Sequence, residues 1–173
     1  MTDEGRVLAR ELWARYESVH AVTYFHPKAL AAAVTAGLRG FWRGYFAQRA
    51  APLGPVGEAA VRASFFGFSS AMTARALPAV WDLASPAEAL AARLDGAGQA
   101  LAELLPDLDV RLVDEVWAIA SALPCDGRVL AAANAALPRP DDPRHRLWQA
   151  TTVLREHRGD GHVAALLTAG LTG

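Results

Sequence analysis

Apolar residues recur at helical spacing along almost the whole chain, and this period constrains the fold more than any other feature. In the first segment, Leu8, Leu12 and Val19 follow one another at spacings of 4 and 7, which places them on one side of a helix. The sequence shows neither the alternation typical of strands nor an internal repeat of fixed period. We therefore expect a compact all-α domain of seven to nine helices, with residues 1–173 forming a single unit.

Proline and glycine mark the boundaries of the expected helices. Pro27 disfavours a helical conformation at His26 and suits the first turn of a new helix. Ser85 and Glu88 have the spacing of a capping box, with proline at the first helical position. The expected helical segments are 2–25, 28–50 with a bend near Gly37 or Gly40, 58–82 with breaks at 64–70 and before Pro78, 86–105, 109–123, 128–136, 143–158 and 162–171.

The stretch REHRGDGH, residues 155–162, combines acids, bases and glycines in an otherwise Ala- and Leu-rich region. Gly159 suits the left-handed position just past a helix, and basic residues before it complement the negative end of the helix dipole. Asp160 would then cap a new helix. This interpretation makes the stretch a sharp bend between two helices.

Two functional alternatives remain open for the same stretch. His157, Asp160 and His162 are residue types that bind first-row metals, although their spacing matches no known metal signature. Alternatively, Arg155 or Arg158 forms a polar rim with His162 and donates hydrogen bonds to a ligand.

A second constellation lies on the first helix. Trp13, Glu17, His20 and Tyr24 are spaced 4, 3 and 4 residues apart and share one face. Either Glu17 and His20 form a local pair, or they line a pocket wall with Tyr24. In the second case Glu17 orients His20 and Tyr24 offers a hydroxyl, so these three are candidates for acid–base catalysis.

The aromatic residues supply the walls that such a pocket needs. Nine of the fourteen aromatic residues fall between Tyr24 and Phe68. They predict either close packing over an aromatic core or a preformed pocket for an apolar or aromatic small molecule. Gly37, Gly40 and Gly44 indicate a close approach to the backbone in this region. The expected ligand-binding residues are His20, Tyr24, Phe41, Trp42, Tyr45, Phe66, Arg155 and His162.

The composition excludes several classes of partner. The formal net charge is −1 at pH 7, so no basic excess favours nucleic acid or an anionic membrane. The charged N-terminus lacks the apolar centre of a signal peptide, and no apolar run reaches the about 18 residues that a membrane span requires. A single cysteine, Cys125, is typical of a reducing compartment. We expect a cytoplasmic protein that binds neither membranes nor, through this chain alone, nucleic acid.

Five segments of the chain resemble a known family. They are ESVHAVTYFHP, GLRGFWRGYFAQRAAPLGPV, SFFGFSSAMTARALPAVW, NAALPRP and LREHRGDGHVAALLTAGL. In these segments the chain is similar to the SalK-like proteins of actinobacteria, which are generally described as helix-turn-helix or winged-helix regulators. The resemblance implies a winged-helix region after the RGDGH segment, so we expect this chain to hold the N-terminal helical part and to lack the DNA-reading part. It implies no catalytic residues.

Two functions follow from the sequence. The preferred one is a helical domain that encloses an apolar or aromatic metabolite, similar to the sensor part of a regulator. The alternative is a metal- or haem-dependent enzyme that uses His20, or His157 and His162. Association into a homo-oligomer stays open.

Overall fold

The computed structural model describes residues 3–77 and 80–171. Nine α-helices and two short 3₁₀ turns occupy the described residues, and no β-strand is present among them. The predicted all-α fold class is therefore confirmed. The helix start expected at Thr2, the break at Pro78 and the side chain of Trp13 lie outside what is described. The elements are α1 (Asp3–Phe25), α2 (Pro27–Thr35), α3 (Phe41–Ala50), a 3₁₀ turn (Ala51–Leu53), α4 (Glu58–Ser64), α5 (Ser70–Ala76), a 3₁₀ turn (Val80–Asp82), α6 (Pro86–Leu104), α7 (Val110–Ser121), α8 (Val129–Ala135) and α9 (Pro143–Thr168).

The long helix α9 is the centre of the fold, because it packs against α1, α6, α7 and α8. Its buried Trp148 contacts an apolar cluster that includes Val22 of α1 and Leu101 of α6. A larger cluster lies beside it, around Phe46 of α3 and Phe65 after α4. No helix within the described ranges is both long and apolar enough to cross a lipid bilayer.

Local capping chemistry sets several helix boundaries where the sequence predicts them. Ser85 Oγ accepts from the Glu88 N–H at 3.3 Å, and the Glu88 carboxylate accepts from the Ser85 N–H at 2.8 Å, so the capping box is confirmed. The Asp142 carboxylate accepts from two backbone N–H groups at the start of α9. α1 ends at Phe25 and α2 begins at Pro27.

The single helix expected over residues 28–50 is wrong. The chain forms α2 and α3 there, separated by a turn in which Gly37 and Gly40 have φ of +84° and +82°. This backbone conformation is open to glycine and strained for other residues. A Cβ on Gly37 would lie 2.7 Å from the Leu83 carbonyl oxygen, so the predicted close approach is present here. Of the three glycines considered together in the sequence, only Gly44 lies within a helix, α3.

The bend expected at residues 155–162 is also wrong, because α9 continues through both glycines of the stretch. The missing side chain of Gly161 leaves room for the Arg128 guanidinium, whose Nη1 donates to the His157 carbonyl oxygen at 2.6 Å. The Asp160 carboxylate accepts from the Ala131 N–H at 3.3 Å, within the first turn of α8. Asp160 thus does act as a cap, but for α8 and not for a new helix after it.

Replacing Gly159 with alanine tests the continuity of α9. A Cβ there would meet Arg155 Nη1 at 3.6 Å, an ordinary contact. Because alanine favours the helix, we expect Gly159→Ala to raise the free energy of unfolding by about 0.5–1 kcal/mol, measured in urea. The matched control is Gly127→Ala, at φ +69° with open space around it, which should lower stability by about 1 kcal/mol. If Gly159→Ala lowered stability instead, the result would contradict a continuous α9 and favour a helix end at Gly159.

Candidate ligand-binding sites

A buried ion pair joins α3 to α9. Arg49 Nε donates to Glu156 Oε1 at 2.9 Å, and Arg49 Nη2 donates to Oε2 at 2.5 Å. Arg49 is 4% exposed and Glu156 is 1% exposed. Burial opposes ionisation of Glu156, but the Arg49 guanidinium outweighs this effect and holds the pKa of the carboxyl at about 2. The remaining Arg49 donor, Nη1, bonds to the Tyr45 hydroxyl at 2.8 Å. The pair therefore fixes the distance and orientation between the two helices.

A second buried guanidinium, that of Arg93 in α6, lies nearby. It donates to the Gln48 carbonyl oxygen at 3.1 Å and to the Tyr24 hydroxyl at 3.2 Å, and it lies 4.7 Å from the Trp148 ring centre. No described carboxylate forms an ion pair with it. The arginine is therefore held by two neutral oxygens and the face of an aromatic ring, which stabilise it less than an acid would.

His20 is fully buried and interacts electrostatically with Arg49, Arg93 and Glu156, and we call these four buried residues and their partners the polar interior. Its Nδ1 is 3.2 Å from the Thr152 hydroxyl, which itself donates to the Trp148 carbonyl oxygen. Nδ1 therefore carries the proton, and Nε2 is left unprotonated and without a hydrogen-bond partner among the described residues. Burial lowers the pKa of His20 well below its ordinary value, and Arg93 lowers it further. The imidazole is a neutral core group.

The other residues that were expected to line one ligand pocket lie at separate locations in the structure. Tyr24 and Tyr45 are both partly buried, and their ring centres lie 4.9 Å apart. Phe41 and Trp42 line an open hollow, and Phe66 lines another. Glu17, which was expected to orient His20, does not make the hydrogen bond to the imidazole, because Thr152 takes that position.

Three polar side chains of the 155–162 stretch, those of Arg155, His157 and Asp160, make contacts within the fold. Arg155 Nη1 donates to Glu156 Oε2 at 3.2 Å, and His157 Nε2 lies 3.1 Å from the Pro124 carbonyl oxygen, to which it donates. His162 is exposed. Among the described residues, no group of three or more His, Cys, Asp or Glu side chains is placed to hold a metal ion. His157, Asp160 and His162 thus form no metal centre in this structure.

An apolar groove that the sequence pattern does not predict runs between α1, α7 and α9. We call it the α1–α7 groove, and its volume is about 780 Å³. The polar residues at its margin include Arg15, Asp107 and Asp109, whereas its walls are predominantly apolar. Its lining comprises Arg15, Tyr16 and Val19 of α1, residues 104–109, Leu112, Val113, Val116 and Ile119 of α7, and Leu147, Thr151 and Leu154 of α9.

The signal for this groove was present on α7. Val113 and Ala120 are buried there, yet Leu112 and Ile119 of the same helix are 57% and 61% exposed. The helix carries more apolar residues than its buried face accommodates. Periodicity marks all of these residues as core, and only the packed fold separates the buried ones from the groove.

Removing the carboxylate of the buried ion pair should be strongly destabilising. We expect Glu156→Gln to lower the free energy of unfolding by about 3 kcal/mol, because it leaves the Arg49 charge buried without an anion. The control is Glu103→Gln, which removes a half-exposed partner of Lys28 and should cost under about 0.5 kcal/mol. Both are measured by urea unfolding. Equal losses for the two variants would contradict the assigned role of the ion pair.

Stability should fall in two stages as the solution is acidified. The unfolded chain protonates His20 near its ordinary pKa of about 6.5 while the folded chain resists, so stability declines below that pH. The contribution of Glu156 is complete above about 4.5 and is lost as the pH falls towards about 2. We expect His20→Gln to flatten the first stage and Glu156→Gln the second, in urea unfolding at a series of pH values.

His157 is the control for the first stage. Burial lowers its pKa as it does that of His20, but His157 is only partly buried. His157→Gln should leave most of the first stage in place. A wild-type stability that stays constant between about pH 6.5 and 5 would show that the folded protein protonates His20 freely.

Comparison with known proteins identifies a family for this chain but no individual relative. No curated protein and no solved structure matches it significantly. A family model described as a helix-turn-helix family matches residues 9–173, nearly the whole chain and all of the elements that build the polar interior and the groove. The chain therefore belongs to this helix-turn-helix family.

Proposed function

We propose that this chain is a helical, regulator-like domain that binds an apolar small molecule in the α1–α7 groove. The observation that carries the proposal is the groove itself, with its volume of about 780 Å³ and its largely apolar walls. Ligand sites in proteins span roughly 300–1,000 Å³ and combine apolar walls with a few polar groups. The groove matches this description in size and in chemistry.

The exposed apolar residues of α7 add to the argument. Leu112 and Ile119 both line the groove and are more than half exposed. Contiguous apolar surface of this kind marks binding sites, because water contact with it is unfavourable. A ligand with an apolar body would cover these side chains. Arg15 and Asp109 at the margin would meet polar substituents.

This proposal places the ligand away from the residues that the sequence suggested. His20 is fully buried in the polar interior and Tyr24 is partly buried beside it, whereas α1 lines the α1–α7 groove through Arg15, Tyr16 and Val19. A haem- or metal-dependent reaction at His20, or at His157 and His162, is not proposed, because no contact of these residues favours it. DNA binding by this chain alone is not proposed either, since its net charge is −1.

Thermal unfolding with a panel of neutral apolar compounds, from decanol to naphthoquinone, tests the groove. A compound at about 100 times its Kd stabilises the folded state by about 2.7 kcal/mol, which corresponds to about 5–10 °C in Tm for a chain of this size. We expect at least one compound to give such a shift. Ile119→Lys should abolish the shift, because it places a charge in the apolar wall.

The matched control is Val129→Lys on α8, which is 56% exposed and does not line the groove. It should keep the full shift. Unchanged melting curves across the whole panel, or a shift that survives Ile119→Lys, would overturn the proposal.

A further inference from the structure

A second hollow, formed by the first turn of α3 and by α5, differs from the groove in its chemistry. We call it the α3–α5 hollow, and its volume is about 540 Å³. Its lining includes Phe41, Trp42, Arg43, Ser69, Met72 and Arg75. Neither the polar interior nor the α1–α7 groove shares these residues.

Two aromatic rings form an exposed wall of this hollow. Phe41 is 50% exposed and Trp42 is 43% exposed, and the rings meet edge to face with centres 5.1 Å apart. Behind them, Trp42 packs against Phe46 at 6.3 Å and Phe68 at 6.4 Å, so its ring rests on the aromatic core. A supported ring with one open side is suited to packing against a planar aromatic group.

The charge of the hollow is positive. Arg43 and Arg75 line it, and no acidic side chain does so, although the whole chain carries 18 acidic residues against 17 basic ones. Arg75 forms no hydrogen bond or ion pair with another described residue. The first turn of α3 contains no acid, and its cap, Gly40, has no side chain, so the partial positive charge of the helix end is not neutralised locally.

A free hydroxyl completes the set of donors. Ser69 precedes α5, but its side chain makes no capping hydrogen bond to that helix. The hollow thus combines an aromatic wall with guanidinium and hydroxyl donors. A ligand that contacts both the aromatic wall and the donors has a flat apolar ring and a negatively charged group that accepts hydrogen bonds.

We propose that the α3–α5 hollow binds a small planar aromatic carboxylate. The ring of the ligand packs against Trp42 and Phe41, and the Arg75 guanidinium donates to the carboxylate, a pairing for which the planar fork of arginine is suited. Ser69 offers a further donor. This site is separate from the α1–α7 groove, so its existence does not depend on the function proposed above.

Isothermal titration with 2-naphthoate and with its neutral analogue 2-naphthamide tests the site. The two probes share the ring system and differ in charge. We expect naphthoate to bind about fivefold more tightly at low salt and the difference to shrink at high salt, because the arginine is exposed. Quenching of tryptophan fluorescence by naphthoate, reduced in Trp42→Leu, reports that the ring lies against this wall.

Three variants separate this site from the rest of the surface. Arg75→Gln should remove the preference for naphthoate over naphthamide, and melting curves establish that the variant is folded. Arg111→Gln is the matched control, since it removes an exposed arginine outside the hollow and should leave the preference intact. Ile119→Lys should also leave naphthoate binding unchanged, because it alters only the α1–α7 groove.

Four results would overturn the proposal. They are equal binding of the two probes by the wild-type protein, an unchanged preference in Arg75→Gln, loss of naphthoate binding in Ile119→Lys, and displacement of naphthoate by oligothymidylate in a manner that depends on Arg75. The third would assign the ligand to the groove, and the fourth would assign the hollow to nucleic acid.

Discussion

The buried ion pair between Arg49 and Glu156 is the constraint on which the arrangement of the helices depends. Two charges removed from water are tolerated only when their geometry is close to ideal, and here two parallel hydrogen bonds join residues 107 positions apart in the sequence. The pair sets where α3 lies against α9. The position of α3 in turn places Tyr45 against Tyr24 and positions the aromatic core behind the α3–α5 hollow.

The central helix α9 has several polar residues on its buried side. Gln149, Thr152 and Glu156 follow one another at helical spacing and are all buried. Each is satisfied by a partner from elsewhere in the chain or by a carbonyl of the preceding turn. The same helix receives α8 through Gly161, which leaves room for Arg128, and through Asp160, which accepts from the Ala131 N–H. Polar groups that resemble a catalytic or metal site in the sequence thus serve to position helices, a use of buried polarity that specifies one arrangement over others.

The two open surfaces differ in chemistry in a way that suits different ligands. The α1–α7 groove is apolar with a thin polar margin, whereas the α3–α5 hollow pairs exposed rings with guanidinium groups and has no acid. The two proposals assign these surfaces to two classes of small molecule. Because α9 packs against α1, α6, α7 and α8, it provides a physical connection between the groove and the polar interior.

The sequence by itself determined the all-α class and most helix boundaries, because periodicity, prolines and caps such as Ser85 and Asp142 act within a few residues of one another. It did not determine the course of the chain at Gly159 or at Gly37, since glycine adopts helical and left-handed conformations with similar ease and neighbouring elements choose between them. Nor could it decide that Thr152 bonds His20, or which apolar residues of α7 stay exposed. Those outcomes depend on contacts between residues far apart in the chain, which only the tertiary structure brings together.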